Sequence, residues 1–183
     1  MRYKVTIEYE GSDFVGWQRQ LSGLSVQQAI EEAIFKFTKT RPLVYAAGRT
    51  DTGVHAYGQV AHFDLERHYD CQEIIGAINF HVRPHKIAIL NCQLVEEQFH
   101  ARFNAKQRHY VYKILNGPSQ PVINAKLAWW LRQPLDIKAM QEAAQYLIGE
   151  HDFTSFRAAN CQANNAERSI NQITISQFPL ITE

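Results

Sequence analysis

Residues 2–9 alternate strictly, with Tyr3, Val5, Ile7 and Tyr9 on one side and Lys4, Thr6 and Glu8 on the other. A period of two with one apolar side predicts a half-buried strand. From Ser25 the period changes. Ser25 and Gln28 have capping-box spacing, and Val26, Ile30, Ala33, Ile34 and Phe37 then recur at helical intervals until Arg41-Pro42 stops the helix. Strands are predicted near Leu43–Ala47 and over Gly58–Leu65. Asp70 with Glu73 repeats the cap pattern and opens a helix to about Phe80. His85–Val95 reads as a fourth strand, with Ile87 and Ile89 opposing Ala88 and Leu90.

The order β-α-β-β-α-β predicts an α+β fold whose N-terminal unit is ferredoxin-like, a sheet with two helices on one face. Its other face is then free for a partner, and RNA-recognition modules stack bases on such a face. A second set of elements follows: a strand over Gln107–Leu115, another over Leu127–Leu131, a helix over Asp136–Ile148 stopped by Gly149, and a strand over Ile170–Ile175. This second α/β unit lacks a further helix and closing strand and is read as incomplete. The expected domains are residues 1–103 and 104–183. No internal repeat or low-complexity linker separates them.

The chain has 183 residues and a net charge of +1, enough for a sizeable core and no announcement of a nucleic-acid binder. No apolar run approaches a membrane span. The strand pattern begins at Arg2 with no basic-then-apolar leader. Cys71, Cys92 and Cys161 are isolated in sequence and lack metal spacing, so a reduced, cytoplasmic protein is expected. Charge distribution adds one local feature. Between His100 and Leu115 lie Arg102, Lys106, Arg108 and Lys113, with His100 and His109 and no acid. A basic stripe beside aromatics is the footprint of RNA binding; a guarded strand edge is the plainer reading.

The candidate chemistry sits in Ala46-Ala47-Gly48-Arg49-Thr50-Asp51-Thr52-Gly53-Val54-His55-Ala56. One carboxylate lies on a glycine-flanked loop between two predicted strands, where a large substrate can approach a fixed acid. Taken alone, Asp51-Thr52-Gly53 is more ordinarily an Asx turn. The triplet also occurs in aspartic proteases, whose two acids share a proton; the neighbouring Arg49 argues against such sharing. His81 and His85 are four apart, but Pro84 between them breaks helical geometry, and His55 with His62 has no evident third ligand, so no metal is expected. Phosphate loops, dinucleotide fingerprints and Ser or Cys nucleophile motifs do not occur. Tyr110 and Tyr112 share one face of the predicted strand, either as core aromatics or as a platform for a base.

Gly48–Asp51 with Gly53–Ala56 closely resembles the signature of the tRNA pseudouridine synthase A family. The resemblance extends along the chain. It includes Tyr9-Glu10-Gly11, Phe14-Val15-Gly16-Trp17-Gln18, Ser25-Val26-Gln27, the run Gly58–Phe63, Phe99–Phe103, Arg108–Tyr112 and Gly149–Arg157. It implies isomerisation of uridine to pseudouridine in the anticodon stem-loop, at tRNA positions 38, 39 and 40, with no cofactor and no metal. It implies that Asp51 is the indispensable acid, with attack on ribose, attack on base and proton abstraction all open to it. It places Arg49 beside the flipped nucleotide and Tyr110 against the base. His55, Arg102 and Arg108 are carried over as RNA-binding residues. A homodimer with tRNA lying across both copies is implied as well.

The sequence departs from the family's pattern at His85, where an acid is usual, and at Ala166, where a proline commonly stands. The family also continues into a segment with an Arg that pairs with the catalytic Asp. On that ground the chain is read as a C-terminally shortened form, its activity expected to be much weakened, with a catalytically impaired tRNA-binding protein as the alternative.

Overall fold

The computed structural model describes residues 1–123, 125–157 and 165–178. Its contacts divide the chain into two compact units, Met1–Tyr112 and Lys113–Glu183.

The first unit is built on β1 (Arg2–Tyr9), β2 (Tyr45–Ala46), β3 (Ala56–Asp64) and β4 (Ile87–Val95), with α1 (Val26–Thr38) and α2 (Cys71–His81) between them. The strands form one antiparallel sheet in the order β2-β3-β1-β4. Tyr3, Val5, Ile7 and Tyr9 are all buried, as their alternation predicts. They meet Ile30 and Ile34 of α1, Ile74 and Ile78 of α2, and Ile87, Ile89 and Cys92 of β4 in one core. Both helices start at the expected caps: Ser25 Oγ accepts from Gln28 N–H (3.1 Å) and an Asp70 carboxylate oxygen from Gln72 N–H (2.8 Å). The burial alternation of β4 slips because Thr6 pairs with Asn91 and Ile7 with Ile89, which passes over Leu90. Asn79 of α2 satisfies both main-chain groups of Ile89 beside that irregularity, at 2.7 and 3.0 Å. The cysteines are not all isolated in space. Burial, followed by the neighbouring Cys71 thiol, pushes the Cys92 thiol up to about 12; Cys161 lies outside the described residues.

The sheet face opposite the helices is not wholly free. Residues 97–104 lie over part of it. Ala101 N–H donates to His62 Nδ1 (3.2 Å), and the His62 ring packs edge-on to Phe99 and His100 and is stacked with Tyr45. Arg2 holds the segment's start through Phe99 O (2.9 Å) and Glu97 O while gripping Asp64 with two bonds, at 2.8 and 2.7 Å. His62 is only 1% exposed. Burial, then the charges of His100 and Arg2, hold its pKa below the ordinary value.

The second unit holds two small sheets. Strands β5 (Ile114–Asn116) and β6 (Trp129–Leu131) pair in parallel; β7 (Gly149–Asp152) and β8 (Glu167–Ile170) pair antiparallel, and α3 (Ile137–Gln145) lies between them in sequence. Two expectations are corrected here. The strand placed over 107–115 is confined to 114–116, because residues 107–112 have no strand partner and their side chains are exposed. The strand placed over 170–175 lies at 167–170, where it pairs with a β7 that hydrophobic periodicity did not suggest.

Candidate active site

The loop of residues 47–55 joins β2 to β3, and its main chain is tied at both ends and in the middle. Ala47 N–H donates to Val60 O (2.8 Å), Trp17 N–H to Thr50 O (2.9 Å), Gly53 N–H to Phe14 O (3.4 Å) and Val54 N–H to Asp51 O (3.2 Å). Side chains add to this. Gln59 Nε2 donates to Gly48 O (2.7 Å), Thr52 Oγ1 to Val15 O (3.1 Å), and the Tyr9 hydroxyl bonds Thr50 Oγ1 (2.8 Å). The Tyr9 phenol is buried, and that burial raises its pKa in spite of its bonds with Thr50 and Gln59.

Residues 11–17 form the floor under this loop. A Cβ on Gly11 would stand 2.0 Å from Val54 O, and one on Gly16 would stand 2.7 Å from Thr50 O. Gly16 also has φ +109°, a conformation that side chains rarely adopt. Both positions therefore need glycine for the two main chains to touch. Tyr9-Glu10-Gly11 and Phe14–Gln18 figured in the sequence only as parts of a resemblance, and no local signal told what they touch. Beside them, Lys86 Nζ lies 2.7 Å from a Glu10 carboxylate oxygen and draws that carboxyl below its ordinary value.

On this rigid base the Asp51 side chain is exposed. The turn is closed by the main chain, and the Asp51 carboxylate takes part in no described hydrogen bond. This is not the Asx turn of the plainer reading. Arg49 is exposed on the same loop. His55 is half-buried at its end; Nδ1 accepts from Gly11 N–H (3.0 Å), so a neutral ring carries its proton on Nε2. Arg108 also reaches the loop, donating from Nη2 to Ala47 O (2.9 Å). No described bond joins Arg102 or Tyr110 to it. Arg102 lies in the turn over the sheet, its guanidinium 5.9 Å from the Phe103 ring centre. Tyr110 and Tyr112 are 85% and 83% exposed, so neither is a core aromatic.

A main chain held this firmly under an open carboxylate suits an acid that must meet a large substrate in one geometry, as nucleophile or as base. Among the described residues no three His, Cys, Asp or Glu side chains are placed to hold a metal ion. No described helix is long and apolar enough to cross a membrane.

A family model described as tRNA pseudouridine synthase matches residues 5–104 and 143–182. The chain is 51% identical over 177 residues to a tRNA pseudouridine synthase A of Ehrlichia canis (strain Jake), a match covering 96% of this chain and 72% of that protein. The protein of the same name from Ehrlichia chaffeensis (strain ATCC CRL-10679 / Arkansas) is 51% identical over 176 residues, with the same coverage.

Proposed function

The chain belongs to the tRNA pseudouridine synthase family, an isomerase family that converts uridine to pseudouridine in tRNA, and from that premise we propose that Asp51 is the catalytic acid of this reaction. The observation that carries the assignment is an exposed carboxylate on a loop whose main chain is held from both sides. The reaction breaks the bond between base N1 and ribose, turns the base and rejoins it through C5. The C5 proton leaves to solvent and the freed N1 takes up one, so the product is an isomer of the substrate. No net redox change or hydrolysis occurs, so the reaction calls on a positioned carboxylate. Asp51 serves as the nucleophile or base of the first step.

The remaining roles follow from placement. Arg49, two residues before the acid, holds the space or phosphate left by the flipped uridine. Tyr110 stacks on the base. Its exposure supports this reading, since a buried tyrosine could not do so. Arg102 and His55 line the RNA path, whereas the Arg108 guanidinium is spent on the main chain of the Asp51 loop. The substrate we propose is the anticodon stem-loop, at positions 38, 39 and 40. The N-terminal unit is read as ferredoxin-like, on the support of its strand order and of the core shared by α1 and α2. A cytoplasmic homodimer with tRNA across both copies belongs to the same proposal and rests on the family resemblance.

Tritium release from tRNA carrying 5-tritiated uridine tests the assignment. The protein releases tritium; Asp51→Ala loses release to background, with tRNA affinity kept within a few-fold. Undiminished release by Asp51→Ala overturns it. Binding without release, in both forms, would instead favour a tRNA-binding protein.

A further inference from the structure

Arg108 was carried over as an RNA-binding residue, yet its guanidinium is turned onto protein. Nη2 donates to Ala47 O at 2.9 Å, across 61 positions of sequence. The same side chain lies against Gly48: a Cβ there would stand 3.4 Å from Arg108 Nε and 4.0 Å from Cδ. These are two separate contacts with the first two residues of the Asp51 loop.

The main-chain groups at this loop entry are bonded within the protein. Ala47 N–H is used by Val60 O, and Gly48 O accepts from Gln59 Nε2. Ala47 O is left for a donor from outside the sheet, and Arg108 supplies it. Arg108 comes from a stretch, residues 105–112, that has no strand partner of its own. Two residues further on is Tyr110. The bond therefore joins the segment carrying the exposed aromatic to the loop carrying the exposed acid.

We propose that Arg108 is a positioning residue, which latches the Tyr110 segment to the Asp51 loop and so fixes the two sides of the uridine site against each other. This rests on the assignment of Asp51 and Tyr110 above. A planar fork suits the task. One N–H bonds the carbonyl while the flat guanidinium lies over a residue with no side chain. A phosphate contact makes different demands, since it needs the charge and leaves the free protein unchanged.

Arg108→Ala separates these roles. Three readouts are taken on the full chain: amide hydrogen exchange of the free protein, the single-turnover rate at saturating tRNA, and the salt dependence of tRNA binding. The latch predicts faster exchange in residues 47–55 without RNA, with exchange in β1 and β4 unchanged as the control for folding. It predicts a roughly ten- to hundredfold slower turnover at saturation, the scale of a misplacement of about 1 Å. The salt slope stays as it is. Unchanged exchange in residues 47–55 overturns the proposal, and so does a full rate at saturating tRNA. A salt slope shallower by about one ion, with the rate kept, would make Arg108 a phosphate contact instead. The exchange measurement needs no catalysis, so it judges the latch even where Asp51→Ala has refuted the assignment of the acid.

Discussion

Two irregular segments lie against the first sheet, and they are held by opposite means. Residues 47–55 are tied by main chain to main chain, through bonds to Phe14, Trp17 and Val60 and through contact with Gly11 and Gly16. Residues 97–104 are tied mainly by side chains, the buried His62 ring and the Arg2 guanidinium. Amide bonds do not titrate in the physiological range. An imidazole does. The proposed catalytic loop is thus built to keep its geometry across conditions, while the segment carrying Arg102 is held by a bond that depends on proton occupancy.

The largest expected effect breaks the first kind of tie. Gly11→Ala puts a methyl 2.0 Å from a main-chain oxygen, so one chain must move. Overpacking of this sort costs about 1–3 kcal/mol or more. It also displaces the Asp51 loop, with an expected loss of about a hundredfold in single-turnover rate. Gly76→Ala is the matched control, because nothing lies within 4 Å of a Cβ there and the site is mid-helix. That change should stabilise by up to about 1 kcal/mol. Urea denaturation and tritium release on both variants check the pair. Equal behaviour of the two would mean that the floor under the loop is not what holds it.

The second prediction tests the other tie through pH. His62 is held below its ordinary pKa of 6.5 by burial first, then by His100 and Arg2, with Asp64 and the Tyr45 carbonyl pulling the other way. A lowered value means that the unfolded chain binds the proton more readily. The contribution to stability is therefore complete above 6.5, declines as pH falls from there, and is level once pH is below the folded value. Protonated Nδ1 also cannot accept from Ala101 N–H. Protection of the amides in residues 97–104, taken against the intrinsic exchange rate at each pH, should fall between pH 7 and 5, while residues 47–55 keep theirs. This window lies above the ordinary values of 3.8 for Asp64 and 4.5 for Glu10, both lowered by their cationic partners. His62→Gln should flatten the unfolding free energy over that interval. A slope that persists in the variant would assign the pH response elsewhere.

The same contrast explains what the sequence makes legible. Strand β1 and the starts of α1 and α2 are readable because burial of one face imposes a period, and the caps bond residues two or three positions away. Asp51 is readable as a candidate because glycines surround it. The tasks of Gly11, Gly16 and Arg108 are not, since each touches a main-chain atom tens of residues distant and leaves no periodic trace. The 107–115 strand fails for a related reason. Alternation there marks an extended chain, and pairing needs a partner that periodicity does not name. Strand β7 escapes notice and β8 is placed too late in the chain because Glu150, His151, Asp152, Glu167 and Arg168 carry their pairing without an apolar face.

The smallest expected effect belongs to the one side-chain relay beneath the loop. The Tyr9 hydroxyl bonds Thr50 Oγ1 at 2.8 Å and is also within reach of Gln59, which in turn donates to Gly48 O. Tyr9→Phe removes the hydroxyl and keeps the ring against Trp17. Thr50 O is still held by Trp17 N–H, so the loop keeps its main-chain ties. The expected cost is about 1 kcal/mol, the net worth of one hydrogen bond, with a few-fold slower turnover. Thermal unfolding and amide exchange in residues 47–55 measure it. If Tyr9→Phe loosened the loop as much as Gly11→Ala does, the distinction drawn above would collapse. The loop would then hang on a hydroxyl relay, much as residues 97–104 hang on an imidazole, and its geometry would no longer be set by the meeting of two main chains.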